Sequence, residues 1–298
     1  MSQKEKAVIS DALKMEGVSE ALKKATGIIP YTFLNDYMFR VILQKHKNVL
    51  RSIVCACLKL EVGDVQDIVV QNPIEFGEAI DDKTFILDIN VLLNNNTIIN
   101  LEMQVLDLKD WPERSLSYLA RSYDNVAKGD EYINVKPVYH IGFLNYTLFP
   151  ESPEFFARYR MMNIKNHHVY TTKFNLYVVD LTQIKLATQE DVDTGLVYWT
   201  QVFKAKTWEE LRQMAERNQE LQEATEALYV YNQDEIVKEQ CRARQDYYNH
   251  ERGMQKRMEE KDAAILKSIK IMTEKLHISE AEACKQIGIS LEDYQKMK

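Results

Sequence analysis

Two carboxylic acids and a carboxamide, Asp88, Glu102 and Gln104, have residue types and spacing that could hold a metal ion. All three occupy even positions of the segment 85–106, whose odd positions are mainly apolar. This alternation predicts that they share one face of a β-hairpin. Carboxylates that face each other on a sheet repel unless a cation neutralises them. Oxygen ligands of this kind suit Mg²⁺, whose coordination is completed by water or by a substrate phosphate.

The register of the hairpin is predicted from its loop, Asn94-Asn95-Asn96. Asparagine tolerates the left-handed backbone that a three-residue loop needs. An odd number of loop residues keeps the apolar positions of both strands on the same face. The resulting register pairs Asp88 with Glu102 and Asn90 with Asn100.

A simpler interpretation stays open, in which the polar face is solvated and carries no chemistry, as on many antiparallel sheets. Ile86, Ile98 and Leu106 share that face, so we expect it to be half-buried. Burial makes unpaired carboxylates costlier, which favours the metal hypothesis.

The order Asp88, hairpin, Glu102-Met103-Gln104 resembles the core of the PD-(D/E)XK nuclease superfamily, with Gln104 where the usual lysine stands. More narrowly, the chain is similar to the Rpn/YhgA-like group of transposase-related nucleases, called recombination-promoting nucleases. The resemblance extends from about residue 33 to about residue 181. Four blocks match in order: LNDYMFRVIL at 34–43, the hairpin, WPERSLSYLARSYDNVAKGDEY at 111–132 and VYHIGFLNY at 138–146.

The resemblance implies an α/β fold, with a mixed sheet flanked by helices in the restriction-endonuclease-like arrangement and an α-helical C-terminal extension. It implies Mg²⁺, with Mn²⁺ as a substitute, held by Asp88, Glu102 and the backbone carbonyl of Met103. The implied activity is hydrolysis of DNA phosphodiester bonds, linked to recombination or mobile elements. Gln104 can position the attacking water but lacks the charge of lysine, so the departure puts the rate in question.

Asp36 is a candidate accessory acid. It lies at the start of a helix predicted over the apolar run that follows, where Asn35 and Asp36 are both favoured caps. The resemblance places an acidic residue of the family near this position. A plain helix cap is the alternative, and the two roles are compatible.

Arg114 and Arg121 are candidates for phosphate binding. They are seven residues apart on a helix predicted to stop at Gly129, which places them on one helical face. Basic groups there could hold a phosphate backbone beside the metal. Alternatively, the two arginines pair with nearby acids such as Asp107 or Asp124.

Composition limits the classes of function. The chain of 298 residues is 45% hydrophobic, enough for one main core with an appendage. We predict a helical or flexible segment 1–30, a nuclease-like core 31–205 and a helical extension 206–298. The net charge of −7 argues against a large nonspecific DNA-binding surface unless basic groups are segregated. A charged amino terminus and no apolar run of transmembrane length predict a cytoplasmic protein without membrane contact.

The other classical metal-binding residues favour structural roles. The cysteines lack zinc-ligand spacing and are expected to be buried free thiols. They are Cys55, Cys57, Cys241 and Cys284. His167 and His168 are adjacent, so they would point apart on a helix or strand, and we expect an ordinary loop or strand edge.

The C-terminal part is predicted to be helical. Apolar residues recur at helical spacing between Leu211 and Leu228, which predicts an amphipathic helix that docks on the core or on a partner. Core packing is the favoured role. Lys238, Arg242 and Arg244 are surrounded by acidic residues, so we expect them on a solvated face.

Two short helices are predicted near the end of the chain. Ser279 and Ser290 have the spacing of helix caps, and Gly288 between them breaks the chain. The last helix offers a poor surface for reading DNA, which favours packing or homodimerisation of this helical hairpin.

Two other classes of function stay open. One is a catalytically weak or inactive nuclease-fold scaffold that binds a protein or DNA partner through its helical tail, supported by Gln104 and the acidic charge. The other is a sequence-specific DNA-binding regulator, which rests only on the C-terminal helices.

Overall fold

A computed structural model of the chain describes residues 20–73 and 88–298. The strands of the described residues are β1 Ile68–Val70, β2 Ile89–Leu93, β3 Thr97–Gln104, β4 Val138–Leu144, β5 Phe156–Arg160 and β6 Phe174–Asp180. They form one sheet in the order β1-β2-β3-β4-β6-β5. The pairs β3–β4 and β4–β6 are parallel, and the other pairs are antiparallel. The sheet is therefore mixed, as the sequence predicts.

Among the described residues, helices flank this sheet in the chain up to Arg244, and further helices follow in sequence. They are α1 Asp36–Lys45, α2 Lys47–Leu58, α3 Trp111–Tyr123, α4 Gln189–Asp193, α5 Leu196–Lys204, α6 Trp208–Ala215, α7 Gln219–Tyr231, α8 Glu235–Leu276, α9 Glu280–Ile287 and α10 Leu291–Met297. Short 3₁₀ helices occupy Val62–Asp64, Tyr132–Asn134 and Ile184–Leu186. This is the restriction-endonuclease-like α/β arrangement.

The hairpin β2–β3 has the predicted loop and register. Asn90 pairs with Asn100, and the loop 94–96 separates the strands. Asn94 and Asn95 have φ of 47° and 55°, the left-handed backbone that asparagine tolerates. The side-chain oxygen of Asn94 also accepts the backbone N–H groups of Gln66 and Asp67, which ties the loop to the preceding turn. The predicted strand residues 85–87 lie outside the described residues.

The odd positions of the hairpin face the main core. Ile89, Val91, Ile99 and Leu101 are fully buried there. An aromatic cluster adjoins them, in which the ring centroids of Phe143 and Phe203 are 5.3 Å apart. Burial of these apolar side chains is the main stabilising contribution on this face of the sheet.

The even positions face α3, which packs over β4 and β6. Trp111, in the first turn of α3 beside Pro112, lies directly on Gly142 of β4. A Cβ at Gly142 would come within 2.1 Å of the indole, so glycine permits this close approach. Gly142 pairs with Glu102, and the polar hairpin face is therefore covered beside that residue.

The predicted end of α3 at Gly129 is wrong, because the helix ends at Tyr123. Asn125 explains the early stop: its side chain donates to the carbonyl of Ser122 and accepts the N–H of Lys136. These bonds turn the chain toward β4. Gly129, with φ of 97°, lies in the loop beyond.

The amphipathic stretch after residue 206 is divided into α6 and α7. Asn218 caps α7 by accepting the N–H of Leu221, which separates the two helices. Leu211, Leu221 and Leu228 are buried in the main core, so the predicted packing role is confirmed.

The described residues form two compact units, with the division after Arg244. In the second unit, Ser279 and Ser290 cap α9 and α10, and Gly288 ends α9 with φ of 83°. The predicted helical hairpin is confirmed, and it has its own small core. That core contains Ile269, Ala283, Cys284 and Tyr294. In the described ranges, no helix combines the length and apolar character needed to cross a membrane.

Candidate active site

Asp88 and Glu102 come together on the face covered by α3. Asp88 directly precedes β2, and one further step of the register beyond Ile89–Leu101 sets it opposite Glu102. Asp88 is 7% exposed, and the side chain of Glu102 is 13% exposed. The half-burial predicted for this face is exceeded at both carboxylates.

Arg40 and Asn72 fix the backbone at Asp88. The buried guanidinium of Arg40, on α1, donates to the backbone carbonyls of Asp88 and Asn72. Asn72 Nδ2 also donates to the Asp88 carbonyl at 3.1 Å, and its Oδ1 accepts the N–H of Asn90 at 2.9 Å. Sequence reasoning missed Arg40, although a lone arginine inside an apolar helix is a signal of a buried charge with partners.

The carboxylate of Asp88 is buried without full compensation. Its Oδ1 accepts no hydrogen bond from any described residue. Burial raises the pKa of Asp88, while the nearby positive charge of Arg40 and a hydrogen bond from Asn100 oppose the rise. An oxygen held in this way is available to a cation.

The carboxylate of Glu102 is also buried, and several charged side chains lie near it. Burial raises its pKa to about 7, and the charge of Arg114 opposes this, whereas Asp88, Asp36 and Asp110 add to it. Its Oε2 has no hydrogen-bond partner in the described part of the chain. A cation between Glu102 and Asp88 would offset the burial and the weaker repulsion from Asp88 that raise this pKa.

Arg114 reaches into the site from α3. Its Nη2 donates to Glu102 Oε1 at 2.9 Å, and its guanidinium carbon lies 5.5 Å from the Trp111 ring centroid. The acid that pairs with Arg114 here is Glu102, whereas Asp107 and Asp124 were the acids considered. Arg121 is exposed at the last turn of the same helix.

Gln104 lies at the end of β3 on the same face as Glu102. Its Nε2 donates to the backbone carbonyl of Leu106 at 2.8 Å, which anchors the amide beside the site. Its backbone pairs with Leu144 of β4. At the position where the resemblance expects the superfamily lysine, the chain therefore has an anchored and uncharged amide.

Asp36 forms a buried ion pair and does not cap the helix. Asn35 caps α1 by accepting the N–H of Met38, so the alternative in which Asp36 is the cap is wrong. Asp36 is the first residue of α1, and its carboxylate is bound by Arg244, whose Nε lies 2.9 Å from Oδ1. Arg244 is buried in this ion pair, so the prediction of a solvated face is wrong for it. Asp36 is near enough to raise the pKa of Glu102.

Two more buried residues of the site were missed, Asn100 and His140. They pair across β3 and β4, and Asn100 Nδ2 lies 2.9 Å from His140 Nδ1. His140 Nε2 lies 3.6 Å from Glu102 Oε2. Asn100 follows from the hairpin parity that also locates Glu102, but the link to His140 depends on the pairing of strands distant in sequence.

The residues fit a hard divalent cation. No three His, Cys, Asp or Glu side chains within 20–73 and 88–298 gather as a metal cage. Mg²⁺ commonly uses one or two carboxylates and takes its other ligands from water and substrate phosphate. Asp88 Oδ1 and Glu102 Oε2 are buried acceptors without donors, which matches this requirement.

The remaining candidate ligands lie elsewhere. His167 and His168 are exposed in a loop between β5 and β6, as expected. All four cysteines are buried free thiols.

A mixed sheet flanked by helices, with two buried carboxylates on its hairpin, is consistent with the nuclease-fold class. The family model of PD-(D/E)XK nuclease family transposases matches residues 33–259, and the chain belongs to this family, which includes the Rpn/YhgA-like group. Comparisons with curated proteins and with solved structures gave no match.

Proposed function

We propose that this protein is a metal-dependent DNA endonuclease of the recombination-promoting, transposase-related type. The observation that carries the proposal is the pair of buried carboxylates, each with an oxygen that accepts no hydrogen bond from the described residues. Mg²⁺, or Mn²⁺ as a substitute, would be held by Asp88, Glu102 and the backbone carbonyl of Met103. When bound, the ion supplies Lewis-acid polarisation of the scissile phosphate and lowers the pKa of a water molecule.

The residues around the ion would have separate roles in hydrolysis. Asp88 is held by its backbone through Arg40, so its carboxylate keeps one position on the sheet. Gln104, anchored on Leu106, would orient the attacking water through its remaining amide donor and carbonyl acceptor. It contributes no charge to offset the negative charge that develops on the phosphate.

Arg114 is placed to exchange partners. Its single bond to Glu102 joins a flexible side chain to a carboxylate that a cation would also occupy. Released from Glu102, the guanidinium can bind a DNA phosphate with two parallel hydrogen bonds. Arg121, exposed on the same helix, would extend this contact along the DNA backbone.

The test is cleavage of supercoiled plasmid DNA with and without Mg²⁺. We expect cleavage that needs the ion and is lost in Asp88→Asn and Glu102→Gln. Glu113→Gln, an exposed acid in the first turn of α3, is the matched control and should cleave like the wild type. Equal cleavage by the wild type and both site variants would refute the assignment.

A non-catalytic scaffold is the second candidate, favoured by Gln104 in place of lysine and by the Arg114–Glu102 ion pair. Titration with Mn²⁺ separates the two functions, because a scaffold should bind no ion in a manner that depends on Asp88. Gln104→Lys provides a further comparison. If the nuclease proposal holds, the restored charge should increase the cleavage rate, whereas a scaffold would stay inactive.

A further inference from the structure

Four polar side chains lie next to one another at the start of β2 and on strands β3 and β4. Asn100 hydrogen bonds with His140 and lowers the pKa of Asp88 by a hydrogen bond, while His140 points toward Glu102. Asp88, Asn100 and His140 are 7%, 2% and 0% exposed. The two proposed metal ligands are therefore joined through an amide and an imidazole.

The amide of Asn100 presents its nitrogen to His140. Asn100 Nδ2 lies 2.9 Å from His140 Nδ1, and an amide nitrogen donates hydrogen bonds but accepts none. His140 Nδ1 is then an acceptor, and a neutral imidazole must carry its proton on Nε2.

His140 Nε2 faces a single charged acceptor. It lies 3.6 Å from Glu102 Oε2, and neither atom has another hydrogen-bond partner among the described residues. The separation is too long for a hydrogen bond while Glu102 Oε1 is held by Arg114. At catalytic sites, hydrogen bonds are often long in the unliganded protein and shorten in the complex with the substrate.

Two aromatic rings fix the imidazole. The ring centroids of Trp111 and Tyr118 lie 5.5 Å and 6.1 Å from that of His140. A histidine with a purely structural role would be expected to satisfy both nitrogens in the core. His140 satisfies one of them and directs the other at Glu102.

We propose that His140 is a positioning residue for Glu102, donating Nε2–H to Oε2 in a tautomer that Asn100 sets. The bond would shorten if Glu102 exchanged Arg114 for a divalent cation. A carboxylate offers about four lone pairs, so Oε1, released by Arg114, and the second lone pair of Oε2 would remain for the ion. Hydrogen bonds to metal-ligating groups orient them in this way. The inference rests on the proposed function, because Glu102 is a proposed metal ligand.

The first test is the tautomer of His140 in the intact wild-type protein. Nitrogen NMR of ¹⁵N-histidine-labelled protein, with His140→Gln to identify the signals among six histidines, distinguishes protonated from unprotonated ring nitrogens. We expect a protonated Nε2 and an unprotonated Nδ1, and a change of the Nε2 signal on adding Mg²⁺. A proton on Nδ1 would overturn the proposal.

The second test is Mn²⁺ affinity measured by calorimetry. His140→Leu removes the donor and should weaken binding by about 10- to 100-fold, the usual effect of losing a hydrogen bond to a ligand. His140→Gln retains an N–H near the position of Nε2 and should recover most of that loss. His168→Gln, in the exposed loop, is the control. Equal affinity of wild type and His140→Leu would overturn the proposal.

The outcomes separate this inference from the proposed function. If the wild type binds no Mn²⁺, the nuclease proposal fails. In that case an Nε2–H signal that shifts in Glu102→Gln would still support the contact between His140 and Glu102. If the wild type binds Mn²⁺ and cleaves DNA but carries the Nδ1–H tautomer, the nuclease proposal stands and the role of His140 fails.

Discussion

Lowering the pH from 8 to 6 should weaken Mn²⁺ binding by about tenfold through Glu102 alone. Its pKa is raised to about 7, so the ionised fraction falls from about 0.9 at pH 8 to about 0.09 at pH 6. A metal ion binds the ionised form, so the proton competes for the same oxygens. The tenfold loss corresponds to about 1.4 kcal/mol of binding free energy. A glutamate with the ordinary pKa of 4.5 would stay ionised across this range, and the affinity would hardly change.

Calorimetric titration of Mn²⁺ at several pH values measures this dependence. Arg114 lowers the pKa of Glu102, so Arg114→Gln should move the transition to higher pH. His140 has its pKa lowered to about 3 and does not titrate in the window. An affinity that is constant between pH 6 and 8 in the wild type would refute the argument that burial and repulsion control this carboxylate.

Three further predictions concern stability. Burial lowers the pKa of His140 to about 3 in the folded protein, so the imidazole stays neutral there while the unfolded chain takes up a proton below pH 6.5. The free energy of unfolding is therefore largest above pH 6.5 and decreases as the pH falls. Urea unfolding should show wild type losing stability relative to His140→Gln by about 1.4 kcal/mol per pH unit between pH 6.5 and the folded pKa of about 3. Parallel curves would contradict this. Gly142→Ala places a methyl group against Trp111 and should lower the free energy of unfolding by about 1–3 kcal/mol in the same assay. An unchanged urea midpoint would show that α3 can shift to make room for the methyl group. Arg244→Met leaves its carboxylate partner buried and should destabilise by about 3–5 kcal/mol, whereas the exposed Arg242→Met should have little effect in thermal unfolding.

The hairpin was predictable because its information is local. Alternating side chains and three asparagines determine the loop, the register and the face on which Asp88 and Glu102 lie. The restriction-endonuclease-like sheet followed from the resemblance. Neither required knowledge of contacts between distant parts of the chain.

The rest of the site depends on contacts that a single sequence does not specify. In the sequence, Arg244 lies among other charged residues and nothing distinguishes it from them. Its ion pair with Asp36 becomes visible only when α8 is packed in the first unit. His140 lies in an apolar strand pattern, and its role depends on pairing with Asn100. The early end of α3 depends on the side-chain bonds of Asn125, which outweigh the favourable stop at Gly129.

The ion pair between Asp36 and Arg244 can form only late in translation, because its partners are 208 residues apart in the sequence. At about 5–20 residues per second, a ribosome would leave Asp36 without this partner for about 10–40 seconds. An unpaired carboxylate favours water over a buried position, so burial of the start of α1 is costly until α8 supplies Arg244. The contribution of Asp36 to the acidic neighbourhood of Glu102 is therefore added late in translation, after those of Asp88 and Asp110.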